Sequence, residues 1–199
     1  MKKLAWFFFV FFAIGVGLYP ILYFLVDARI GLLSQKSNEL LESQIWWAAF
    51  YAHISFGAIT LFTGWSQFSK KIRAKRIRLH RILGKIYLGA VMFGGVAGFY
   101  LAIHSEGGII ANFGFGAMAL AWLATSTLAY LSIRKREIDE HRAWMMRSYA
   151  LAFAAVTLRL YLPTFEIFFG MGFDESYTII SWLCWVPNLF VAQYFIGRQ

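Results

Sequence analysis

Six apolar runs, at residues 4–26, 46–68, 86–104, 111–133, 143–163 and 177–196, dominate this chain. A helix rises ~1.5 Å per residue, so each run is near the length that crosses ~30 Å of hydrocarbon. Inside lipid the backbone has no water to bond, which leaves helices and closed barrels as the only spanning structures. The runs are continuous rather than alternating, and continuous runs predict helices. The predicted fold is an all-α integral membrane protein with six transmembrane helices. Residues 1–199 are read as a single membrane domain, with spans two to five (46–163) forming a four-helix core and the helices at 4–26 and 177–196 peripheral to it. Only 15% of the residues are charged and 60% are hydrophobic, whereas an average soluble domain is ~25% charged. No length is left for a sizeable water-soluble domain. The first run follows Met1-Lys2-Lys3 like a secretory signal. Its apolar core is longer than a signal sequence needs and no small-x-small cleavage site follows, so it is read as a permanent helix.

The formal charge of +9 reports topology first in a membrane chain. With the N-terminus inside, fifteen of the basic residues fall on the cytoplasmic side: Lys2, Lys3, eight between Lys70 and Lys85, Arg134, Lys135, Arg136, Arg142 and Arg198. Arg29 and Lys36 are the two that fall in outer connections. The asymmetry predicts a bacterial inner-membrane protein with both termini cytoplasmic. Residues 70–85, where basic and aliphatic side chains interleave, read as an interfacial segment on anionic headgroups, and nucleic acid is not an expected partner. Residues 27–44 read as a short surface helix, and Pro187 is expected to kink the sixth span.

The single cysteine, Cys184, excludes internal disulfides and cysteine-built metal cages. No phosphate loop, Gly-x-Ser-x-Gly or His-Glu-x-x-His motif occurs. Chemistry therefore falls to His, Arg, acidic groups or a bound cofactor. His53, His80, His104 and His141 lie in or beside the four middle spans, and ionisable groups at membrane depth are functional candidates. At about 100° per residue, His141, Met145, Ser148, Ala152, Ala155 and Arg159 share one helix face. So do His53, Gly57, Thr60, Gly64 and Gln67, and, if the third helix starts before its apolar run, His80, Gly84, Tyr87, Val91, Gly94 and Gly98. Small residues at such spacing let helices approach closely without any ligand. That explains the glycines but not a histidine in each stripe, since a neutral imidazole in lipid needs a hydrogen-bond partner. The second reading is a planar cofactor, haem b, held between imidazoles with small residues making room for the macrocycle. His80 and His141, both at the cytoplasmic boundary, are the expected pair of iron ligands, whereas His53, about 10 Å deep in its span, is read as meeting Arg159. His104, at the opposite boundary beside Glu106, reads as an interfacial histidine. Arg159 is read as a hold for an anionic headgroup, quinone oxygen or propionate. Arg147 is read as snorkelling to the headgroups or pairing with Asp139 or Glu140.

His80-Arg81-Ile82-Leu83-Gly84-Lys85-Ile86-Tyr87, His141-Arg142-Ala143-Trp144-Met145-Met146-Arg147-Ser148-Tyr149 and Thr157-Leu158-Arg159-Leu160-Tyr161-Leu162-Pro163 resemble the signature of the bacterial predicted-membrane-protein family known as domain of unknown function 2306. The resemblance covers residues 50–163 and implies a helical membrane protein, with no activity attached. More loosely, six helices with histidines on the middle four are similar to the ascorbate-reducible transmembrane cytochromes b. That likeness implies a four-helix core with one bis-histidine haem near each membrane face, His80 with His141 and His53 as an outer ligand. The chain departs from it where a fourth ligand should begin the fourth helix; the nearest residue is His104. The function expected is electron transfer, with a quinol as partner. The alternatives are a haem-free transporter or lipid- or anion-binding protein using His53 and Arg159, and a structural subunit of a membrane complex.

Overall fold

The structure is a computed structural model that describes residues 3–25 and 31–198. Lys2 and Arg29, counted above for topology, lie outside the described residues. The described residues are mostly helical, with no strand among them. Six of the helical stretches are long and apolar enough to cross a membrane: Lys3–Leu25, Gln44–Gln67, Ile77–Ile103, Gly108–Arg134, Ile138–Phe169 and Phe173–Ile196.

The first span is α1 (Lys3–Leu18), a 3-10 turn carrying Pro20, and the short α2 (Leu22–Leu25). Of the segment expected as a surface helix, residues 27–30 are not described; beyond them come a 3-10 turn over Gly31–Gln35 and one turn of helix, α3 (Asn38–Leu41), capped by the Ser37 side chain. α4 (Gln44–Gln67) starts on Ser43, whose Oγ accepts from the Trp46 N–H. Ser69 does the same for α5 (Lys70–Lys75), where the basic segment begins. A bend at Arg76, φ −137°, separates α5 from α6 (Ile77–Ile103). The third helix thus starts nine residues before its apolar run and takes in His80. α7 (Gly108–Arg134) follows a turn in which Gly107 and Gly108 both adopt positive φ, 81° and 70°, a conformation that glycine reaches without strain.

The last two spans are each broken. α8 (Ile138–Ala152) and α9 (Ala154–Phe169) divide at Phe153. α10 (Phe173–Leu183) and α11 (Val186–Ile196) divide at Cys184 and Trp185. Pro187, in the first turn of α11, accounts for the second break, because it has no N–H to give and its ring opposes a continuous helix. The first break has no proline; Pro163 sits inside α9 without ending it. At Phe153 the carbonyl takes up the N–H of both Val156 and Thr157, which tightens the turn.

The chain forms two compact units, residues 1–94 and 95–199, divided within α6. In the first, α1 packs along α4. Gly17 lets the Phe62 ring come within 3.1 Å of where its Cβ would stand, and Trp6 meets Trp65 edge-on. In the second, α7 is flanked by α8 and α10, with α9 against α10 and α11 against α8. Large apolar side chains such as Phe7, Phe113, Phe168 and Phe190 point outward, as expected where the surrounding solvent is lipid. Lipid supplies little hydrophobic force between helices, so small residues and interhelical hydrogen bonds join them.

Candidate functional site

Two seams carry the polar chemistry. In the first unit, α6 crosses α4 at Gly94. A Cβ built there would stand 3.1 Å from Phe56 Cβ and 3.7 Å from the Gly57 backbone nitrogen, so a side chain at this position would push the helices apart by a few tenths of an ångström. The Gly94 carbonyl, buried in this crossing, accepts a hydrogen bond from His53 Nδ1–H at 2.9 Å. Further along, Gln67 is buried and its Oε1 lies 3.5 Å from the Cβ position of Gly84. Tyr87 and Val91 of α6 are fully buried. On the stripes predicted for the second and third spans, Thr60, Gly64, Gln67, Tyr87, Val91 and Gly94 are buried while His53, Gly57, His80, Gly84 and Gly98 are half-buried, and the two stripes meet where Gly94 lies against Gly57.

The second seam lies between α8 and α7. His141 Nδ1–H donates to the Ala129 carbonyl at 2.8 Å. Two turns deeper, Ser148 Oγ and Ser126 Oγ share a hydrogen bond of 2.7 Å, and neither residue has any exposed surface. Ala152 is buried beyond them. The face that the sequence reads as room for a macrocycle is filled at Ser148 by α7. Close packing therefore accounts for the small residues there, and the histidines remain to be explained. Because the Ser126–Ser148 bond spans the seam in a dry interior, a double-mutant cycle of Ser126→Ala and Ser148→Ala should show a coupling of about 0.6–1.7 kcal/mol when unfolding is followed in mixed micelles. Strict additivity would mean the bond contributes nothing to the seam.

Both imidazoles solve the same problem in the same way. A helical carbonyl already accepts one backbone N–H and keeps a second lone pair for the ring. A carbonyl only accepts, so Nδ1 must carry the proton, and in the neutral ring Nε2 then carries the lone pair. Nδ1–H bonded to a carbonyl is the arrangement that orients histidines serving as metal ligands through Nε2. His80 sits half-buried in the first turn of α6, and His104, just past the end of that helix, lies against Tyr100 with ring centroids 5.0 Å apart. Among the described residues no three His, Cys, Asp or Glu side chains gather as a metal-ion centre.

Residues 50–196 match the family model described as predicted membrane protein (DUF2306). The chain belongs to the DUF2306 family. No curated protein and no solved structure matches the chain, and the cytochrome b likeness stays an expectation. The matched stretch of this DUF2306 protein contains all four histidines, both seams and both broken spans.

The arginines divide in character. Arg159, in α9, bonds its own helix through Nη1 to the Ala155 carbonyl at 2.9 Å. Arg147 reaches α11, where its Nε and Nη2 both donate to Gln193 Oε1 at 3.3 and 2.9 Å. Of the two carboxylates named as its alternative partners, Asp139 and Glu140, Asp139 pairs with Arg142 at 3.1 Å. Sequence reasoning overlooked Asn188. Its Nδ2 lies 3.2 Å from the Ala150 carbonyl, 3.0 Å from Thr157 Oγ1 and 2.9 Å from the Cys184 carbonyl. One amide thereby ties together the two helix breaks of the DUF2306 chain. The signal was present as an asparagine inside an apolar run.

Proposed function

We propose that this integral membrane protein is an electron-transfer protein that holds haem b through histidine imidazoles, with His141 as an axial ligand and His80 as a further candidate ligand. The observation that carries the reading is the bond from His141 Nδ1–H to the Ala129 carbonyl, which would leave Nε2 rather than Nδ1 to hold a metal. His53 has the same anchoring, to Gly94, and is the candidate ligand for a second haem. Bound haem supplies one-electron redox chemistry, and two imidazoles leave iron no open position for oxygen. The protein's own part is to hold the tautomer, fix ring orientation through a rigid backbone acceptor and keep the ligand in a low-dielectric seam. A membrane quinol is the electron donor of matching solubility. The positive-inside asymmetry supports a bacterial inner-membrane orientation with both termini cytoplasmic. The exposed Lys70, Lys71, Arg76, Arg78, Arg81 and Lys85 support a seat on anionic headgroups.

The test is an absorption spectrum of the full chain purified in detergent after expression with haem supply. A Soret band that sharpens on dithionite reduction is expected, abolished in His141→Ala and in His80→Ala and retained in His104→Ala. A colourless preparation would overturn the reading. A second reading, a haem-free transporter or anion-binding protein using His53 and Arg159, is favoured by the two interrupted spans, because discontinuous helices are where many transporters bind their cargo. A colourless protein whose anion transport is lost in Arg159→Ala would establish it.

A further inference from the structure

We propose that Arg147, Trp144 and Gln193 form a binding site for the phosphodiester of an anionic phospholipid. Arg147 lies five residues beyond Arg142, ~7.5 Å farther along the helix, inside the apolar run. No carboxylate among the described residues pairs with it, whereas Arg142 at the rim has Asp139. A cation at this depth is costly and is retained where it has a counter-charge.

The guanidinium is held in advance of binding. Its Cζ lies 4.4 Å from the centroid of the Trp144 ring, a cation–π contact that restricts the plane. Gln193 Oε1 takes one edge, Nε and Nη2. A guanidinium has five N–H donors in a rigid fork, so the edge formed by Nη1 and the second Nη2 proton stays available. That edge matches two oxygens of a phosphate, the bidentate grip for which arginine is suited and lysine is not. The surface beside it faces lipid: on α11, Phe190 is 72% and Val191 57% exposed. Acyl chains can therefore lie against the helix while the phosphate sits at Arg147. Arg198, its guanidinium 4.2 Å from the Tyr194 ring centroid, adds positive charge toward the rim. The net field favours a lipid with uncompensated negative charge, such as phosphatidylglycerol, over zwitterionic phosphatidylcholine.

The experiment uses the full chain reconstituted in phosphatidylcholine vesicles containing phosphatidylglycerol, re-extracted in mild detergent and weighed by native mass spectrometry. The readout is the ratio of retained phosphatidylglycerol to phosphatidylcholine. Wild-type and variants are compared under one protocol, so the contribution of cations elsewhere cancels. Arg147→Ala should lower the ratio roughly tenfold, and Arg147→Lys should restore only part of it, because the charge returns without the fork. Gln193→Ala removes the lock but no charge and should lower the ratio about threefold with helical content and melting unchanged. This variant tests the site even where Arg147→Ala fails to fold. An unchanged ratio in Gln193→Ala, or full rescue by lysine, would overturn the proposal. So would equal displacement of the lipid by millimolar inorganic phosphate, which would make the site one for free phosphate.

Discussion

Asn188→Leu is expected to destabilise the second unit by about 3 kcal/mol and to uncouple its two helix breaks. The substitution preserves bulk and removes a donor within reach of the Ala150 carbonyl, the Cys184 carbonyl and Thr157 Oγ1. Breaks in transmembrane helices release carbonyls that lipid cannot satisfy. Asn188 supplies protons to a carbonyl on each side, from α8 and from the turn that opens α11. Leucine would leave both buried without that partner, and the penalty for a stranded polar group exceeds the net value of an ordinary hydrogen bond. Thr157→Val should cost less, about 1 kcal/mol, because Asn188 keeps its two carbonyl partners. Unfolding in mixed micelles measures both. Equal stability of Asn188→Leu and wild type would mean that the breaks are held by other means.

Gly114→Ala should cost about 2 kcal/mol by forcing α10 away from α7. A Cβ at this position would stand 2.9 Å from Ser181 Cβ and 3.0 Å from the Ser181 carbonyl oxygen. Backbone cannot swing aside as a flexible side chain can, so the helices must separate. Two hydrogen bonds on the same seam would lengthen with them: Thr178 Oγ1–H to the Gly107 carbonyl at 2.9 Å and Trp182 Nε1–H to the Ile110 carbonyl at 3.3 Å. Because part of the clash is with Ser181 Cβ, the second change Ser181→Gly should recover roughly half of the loss. An alanine variant as stable as wild type, or no recovery in the double variant, would show that the seam is looser than this geometry.

The six spans were legible because lipid imposes a requirement on each segment separately: enough length, continuous apolarity and internally satisfied backbone. The inward faces of the histidine-bearing helices were legible for a related reason. Small residues recur at helical spacing from His53 to Gln67 and from Gly84 to Gly94, and on these faces the structure buries Thr60, Gly64, Gln67, Tyr87, Val91 and Gly94. The stripe of α7 escaped notice. Its buried Trp122, Ser126 and Ala129 sit at helical spacing, but the helix holds no histidine to draw the reading to that face. The expected kink at Pro187 was placed within three residues of the break, since proline acts through its own covalent structure. The break at Phe153 has no such marker and depends on Thr157 and Asn188, the latter on another span.

What the sequence determined by itself was the solvent this chain folds in, the number of its spans and which residues bring polarity into lipid. Only the tertiary structure decided what those polar groups meet: Gly94 for His53, Ala129 for His141, Ser126 for Ser148, Gln193 for Arg147. Hydropathy belongs to one segment at a time, whereas a hydrogen bond belongs to two. With little hydrophobic force between helices in lipid, no periodic signal in either sequence says which partner will lie across the seam.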